Sequence, residues 1–160
     1  MAEEDHAQVW FPAPVAYAVG FALGWGVDRL IPWRIPSDPA TWGLGGLCLA
    51  AGAVLAAWAL GAFRRAGTSP DPPRPVRRLV TDGPYRYSRH PQYVALALTY
   101  LGAGIVLRAA GPLVLLPIVL AVVARDVAAP EEAYLERRFG SAYALYRRRV
   151  PQWWGRPRAG

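Results

Sequence analysis

Apolar residues along this chain gather in blocks, and short stretches rich in proline and arginine separate them. The first block spans residues 14–31, PVAYAVGFALGWGVDRLI. Its length approaches the roughly 20 residues a helix needs to cross bilayer hydrocarbon. Asp28 and Arg29 fall near its end, where they can reach the interface or pair with each other. A proline-rich turn at 32–41 follows, with Trp33 and Trp42 as interfacial anchors. The second block, 42–63, is long enough for a full crossing. Two shorter apolar segments, 94–107 and 112–124, flank Arg108-Ala109-Ala110-Gly111-Pro112, whose glycine and proline interrupt a helix. That pattern predicts a tight hairpin of two short helices, extended through 91–93 and 125–129, in place of one very long helix.

The polar stretches have their own grammar. Residues 64–78, RRAGTSPDPPRPVRR, hold four prolines. Proline lacks a donor and clashes with the preceding turn, so this segment reads as a loop. At Pro130 the helical pattern resumes, with Glu131 and Glu132 suited to the positive end of the dipole. Tyr134, Leu135 and Phe139 share a face opposite Glu136 and Arg137, which predicts an amphipathic helix on the membrane surface. Gly140 should cap it, and Ser141 should start a second short helix through Arg149, before Trp153 and Trp154. Gly20 with Gly24, and Ala53 with Ala57 and Gly61, have the four-residue spacing of helix-packing faces. The same faces serve contacts within one chain or between chains. The expected architecture is all-α and polytopic, with about four transmembrane helices, the last two a hairpin, plus C-terminal interfacial helices. It forms one domain over 1–160: two helices at 14–63, a loop with its motif at 64–90, and the hairpin and tail at 91–160.

Composition sharpens the topology. The apolar share is 54% but mean hydropathy is only +0.15, as segregated blocks require. All 18 basic residues are arginine, and the net charge is +7. Fifteen arginines fall in 64–89 and 125–160, against three (Arg29, Arg34, Arg108) elsewhere. This is a positive-inside signal and not the basic face of a nucleic-acid reader. Four crossings then put both termini and the loop before the hairpin at the cytoplasmic face of the cell's inner membrane. The acidic start MAEEDH lacks the basic region of a secretory signal, so the first block is expected to be retained. His6 reads as a solvated histidine. Cys48 stands alone in an apolar block, which excludes an intrachain disulfide or a cysteine metal cluster.

Residues 79–93, LVTDGPYRYSRHPQY, concentrate the polar chemistry at the membrane boundary. No phosphate-cradling glycine loop, metal-ligand cluster or Ser-His-Asp pattern is legible in the chain. His90 precedes Pro91 at a helix start, where backbone donors can meet an anion, and Tyr85, Tyr87 and Tyr93 add hydroxyls and ring faces. If the hairpin folds back, Glu131 and Glu132 arrive at the same level. Acceptors for an ammonium, donors for a carboxylate and aromatic faces for a base or sulfonium are together what S-adenosylmethionine requires.

Residues 77–93 (RRLVTDGPYRYSRHPQY) and 131–151 (EEAYLERRFGSAYALYRRRVP) resemble the isoprenylcysteine carboxyl methyltransferase family and, more loosely, the membrane phospholipid methyltransferases. The resemblance implies a small helical membrane enzyme with a cytosol-facing S-adenosylmethionine pocket and a lipophilic substrate entering from the bilayer. Carried over, the cofactor contacts are Arg77, Arg78, Leu79, Val80, Tyr85, His90, Pro91, Gln92, Tyr93 and Glu131. Glu131 would hold the methionyl ammonium. Eukaryotic members place a substrate-contacting arginine four positions before that glutamate, where this chain has Val127. Arg89 and Arg125 are the cations able to position a carboxylate acceptor bidentately. Two alternatives stand beside this reading: an NADPH-dependent reductase of the steroid-reductase type, and a non-catalytic membrane scaffold.

Overall fold

A computed structural model describes residues 11–31, 35–67 and 78–158. Its helices are α1 (Ala13–Leu30), α2 (Pro39–Arg65), α3 (Pro91–Val106), α4 (Ala110–Val122), α5 (Ala129–Phe139) and α6 (Ser141–Arg149). A 3-10 turn, Gly83–Arg86, precedes α3, and a π-helical turn, Val123–Ala128, joins α4 to α5. The described residues contain no strand. The α3–α4 hairpin lies at the centre, with α2 against α3 and α1 against α4.

Local chemistry sets the boundaries. Asp38 opens α2 by accepting from Ala40 N and Thr41 N, both at 3.0 Å, and from the Thr41 hydroxyl at 2.7 Å. With Pro39 at the first helical position, these bonds start the helix three residues before the apolar run. The expected hairpin forms, and Arg108 turns through φ 56° while its Nε donates to the Ile35 carbonyl at 3.0 Å. Asp28 and Arg29 do not pair with each other. Asp28 Oδ1 accepts from Gly111 N at 2.8 Å, capping α4 from another helix, and Arg29 sits over the Trp25 ring.

Two expectations change. The helix does not restart at Pro130: α4, the π turn and α5 form one continuous helix, Ala110–Phe139. Pro130 cannot donate to the preceding turn and its ring crowds that turn's carbonyl. The wider π turn before it absorbs the clash, so the axis continues. Ala53 and Ala57 are exposed, and the buried face of α2 is Gly45, Gly52, Leu55, Ala59 and Ala62. Gly52 faces Thr99 and the Ala95 carbonyl, and Gly102 lies against Leu49. Four-residue spacing of small residues therefore held for several faces of this helix and selected none. Gly20 and Gly24 do pack as their spacing predicts, with Gly20 against Val119 and Gly24 against the Pro112 backbone.

Pro39–Arg65 and Ala110–Phe139 are long and apolar enough to cross a bilayer. Large apolar side chains such as Leu23, Leu47, Val54 and Ile118 point outward. A surface this apolar suits lipid rather than water. The interior is small and partly aromatic: Tyr17, Tyr100, Val119, Val123 and Val127 form its main cluster.

Candidate active site

The site is assembled where the segment before α3 meets the end of the long helix and the C-terminal tail. Gly83, at φ 62°, lets the chain enter the 3-10 turn, and Pro84 and Tyr85 are buried behind it. Tyr85 packs with Ala59, Ala62 and Val80, and its ring meets Phe63 edge-on at 5.3 Å. The tail then clamps this segment. Tyr146 donates to the Tyr85 carbonyl at 2.8 Å, Arg89 N to the Pro151 carbonyl at 3.1 Å, and Gly155 N to the Tyr87 carbonyl at 3.0 Å. Ser88, fully buried, accepts from His90 N at 3.0 Å and donates to the Gln152 carbonyl at 3.3 Å. Backbone bonds therefore hold Arg89 and His90 in place before their side chains do any work.

The two glutamates have different partners. Glu132, 7% exposed, receives Arg89 Nη1 on Oε2 at 2.6 Å and His90 Nε2 on Oε1 at 2.9 Å. An ionised carboxylate only accepts, so His90 Nε2 carries a proton. Arg147 Nε adds a second guanidinium at 3.9 Å from Oε2. This glutamate lies beyond the apolar part of its helix. Burial raises its pKa, but the His90 hydrogen bond and the electrostatic pull of the Arg89, His90 and Arg147 side chains outweigh burial and hold it below the ordinary value.

Glu131 is different. Its side chain is 36% exposed, accepts from the Tyr93 hydroxyl at 2.7 Å, and lies 3.7 Å from His90 Nδ1. The His90 ring stacks on Tyr93 at 5.2 Å and 5°, with Trp153 tilted at 6.1 Å. Burial raises the pKa of the Tyr85, Tyr143 and Tyr146 hydroxyls, so these phenols stay protonated and do not serve as bases.

Of the residues singled out in the sequence, Tyr85, His90, Pro91, Gln92, Tyr93 and Glu131 converge, and the Gln92 side chain lies beside the Tyr85 hydroxyl. Leu79 packs on Tyr143, Tyr146 and Val150, and Val80 on the Tyr85 cluster, so both build the walls. Arg78 is exposed, and Arg77 lies outside the described residues. Arg89 belongs to the cluster but is committed to Glu132. Its Nε and the neighbouring Tyr143 hydroxyl are buried without hydrogen bonds. Arg125 is exposed on the π turn, and Val127, 2% exposed, faces the core. Two residues apart on a helix they point to different sides, so Arg125 does not occupy the direction of Val127.

Sequence reasoning did not single out Ser88, Tyr143 or Tyr146, named Trp153 only as an aromatic after α6, and brought Glu132 to the level of His90 together with Glu131 without separating their roles. The i, i+3 spacing of Tyr143 and Tyr146 was the available signal for an inward face of α6. A separate apolar groove of about 440 Å³ runs between α1 and α4, lined by Val15, Val19, Leu23, Ile118 and Val122 among others.

No solved structure matches this chain. The Schizosaccharomyces pombe protein-S-isoprenylcysteine O-methyltransferase is 41% identical over 73 residues, which is 46% of this chain and 31% of that protein. The chain thus aligns with about a third of the length of this curated relative. Residues 40–142, spanning α2, the site segment and the start of α6, match the phospholipid methyltransferase family. The chain belongs to that family.

Proposed function

We propose that this protein transfers a methyl group from S-adenosylmethionine to a lipophilic acceptor, a carboxylate of the isoprenylcysteine kind. The observation that carries the reading is the split between the glutamates. Glu132 is neutralised internally, whereas Glu131 is oriented by a phenol and open enough to receive an ammonium. When bound, S-adenosylmethionine supplies a sulfonium methyl whose C–S bond breaks, its electron pair leaving with sulfur, as the acceptor carboxylate oxygen forms the new C–O bond.

No proton moves in that exchange, which suits a site whose phenols are held protonated. The chain's contribution is alignment and exclusion of water. Glu131, held by Tyr93, fixes the ammonium end, and the stacked His90 and Tyr93 rings wall the pocket. Arg89, tied to Glu132, keeps His90 and the tail in register. Arg125, exposed at the membrane boundary, is the cation left to meet an acceptor carboxylate.

The topology we assign has four crossings, α1, α2, α3 and α4, with the site and both termini on the cytoplasmic side. The arginine distribution supports it, and Pro130–Phe139 with α6 would then lie at the inner surface. The groove between α1 and α4 offers a lipid-side path for an apolar chain. The family match speaks against the reductase alternative. The test is methyl transfer from labelled S-adenosylmethionine, with the protein in nanodiscs, over a panel of lipophilic acids, amines and prenylated thiol compounds. Labelled methyl ester from a prenylated carboxylate, reduced in Arg125→Gln, is expected. Transfer to amines alone would overturn the carboxylate, and no transfer to any acceptor would overturn the reading.

A further inference from the structure

A second pocket, of about 350 Å³, lies outside the cluster just described. Its walls are Thr81 and Arg86 from the 3-10 region, Leu145, Tyr146 and Arg149 from α6, and Pro157 from the tail. These walls are pinned: Tyr146 bonds the Tyr85 carbonyl at 2.8 Å, and Arg158 N donates to the Arg149 carbonyl at 2.8 Å, which fixes the tail over α6. Two arginines from distant parts of the chain thus line one cavity. No carboxylate lines it, and neither arginine has an ion-pair partner among the described residues. Like charges lining one cavity repel, and an anion between them removes that cost while using the arginine fork and the threonine hydroxyl.

The depth of the pocket is marked by aromatic residues. Next to Arg86, Tyr87 stacks on Trp154 at 6.0 Å and approaches Trp58 near the end of α2 at 6.4 Å. Tryptophan and tyrosine clusters of this kind settle at headgroup level. Leu145, 51% exposed, adds an apolar rim beside the two charges. We propose that this pocket binds a phosphate group, and that its source is an anionic phospholipid headgroup of the surrounding leaflet. The inference is independent of methyl transfer, because none of its ligands belongs to the Glu131–His90 cluster.

Thermal unfolding of the full chain in neutral detergent tests it, without S-adenosylmethionine. Phosphatidylglycerol, phosphatidylcholine and inorganic phosphate are titrated separately. Phosphatidylglycerol should raise the melting temperature. Its apparent affinity should fall roughly tenfold or more in R86Q/R149Q, from the loss of charge-assisted bonds, but not in the charge-matched R137Q/R148Q. R149Q alone, at an exposed position, should show part of the same loss and serves if the double variant does not fold. Inorganic phosphate giving the whole effect, lost in the same variant, would keep the site but overturn the lipid as its source. Equal stabilisation of R86Q/R149Q and R137Q/R148Q, or no stabilisation by any phosphate, would overturn the site.

Discussion

Replacing Glu132 by alanine should damage this fold far more than the same change at its neighbour Glu131. The Glu132 and Arg89 side chains are 9% and 11% exposed and meet at 2.6 Å, and the Arg89 Nε has no hydrogen bond of its own. Without the carboxylate, a guanidinium is left buried and uncompensated, and His90 loses its Nε2 partner. Breaking a buried pair from one side costs about 3–5 kcal/mol. For a chain of this size each kcal/mol moves the melting temperature by about 2–4 °C, so Glu132→Ala should lower it by roughly 6–20 °C. Glu131→Ala gives up one phenol hydrogen bond at a part-exposed group, a loss of about 0.5–1.5 kcal/mol. Thermal unfolding in one detergent, followed by far-UV circular dichroism, compares the two. A cycle with Arg89→Ala isolates the pair, and the coupling should be about 2 kcal/mol or more. Equal destabilisation by the two glutamate variants, or a coupling near zero, would refute the reasoning.

Other consequences follow from the same geometry. Because the Glu132 pKa lies below its ordinary 4.5, its contribution to stability is complete above that pH and lost as pH falls through the lower folded value. Acid titration of stability should therefore show an extra decline below pH 4.5 that is absent in Glu132→Gln. Gly24→Ala forces a methyl into the Pro112 backbone and should cost about 1–3 kcal/mol, measured by denaturant or thermal unfolding. Gly26→Ala, with nothing near its added carbon, should be neutral or stabilising by up to about 1 kcal/mol in the same assay. Tyr146→Phe removes a buried donor to the Tyr85 carbonyl and should cost about 1–3 kcal/mol, with increased proteolysis of the tail after α6 as the second readout.

Much of this molecule was legible in its sequence because its signals are local. Block lengths gave α1, α2 and the hairpin, Gly140 marked the end of α5, and the 79–93 stretch supplies one side of the candidate cluster. What escaped depends on three dimensions. Pro130 reads as a helix start, yet the π turn before it carries the helix straight through, and that wider turn leaves no sequence mark. Glu131 and Glu132 are chemically identical in the sequence. Helix phase, set by the same π turn, sends one toward Arg89 and the other toward Tyr93. The α2 face was misjudged because an alanine- and glycine-rich helix offers several equivalent stripes, and only the partner helix chooses among them. Arg89 looked free to hold a substrate because its counter-charge lies 43 residues away.

Isothermal calorimetry of S-adenosylhomocysteine binding to the purified full chain tests the central claim most directly. The wild-type protein should bind. Glu131→Ala should weaken binding by roughly 10- to 150-fold, the value of one charge-assisted hydrogen bond to the ammonium. Unchanged affinity in Glu131→Ala would contradict the assignment of that carboxylate, and binding of NADPH in place of S-adenosylhomocysteine would contradict the proposed reaction.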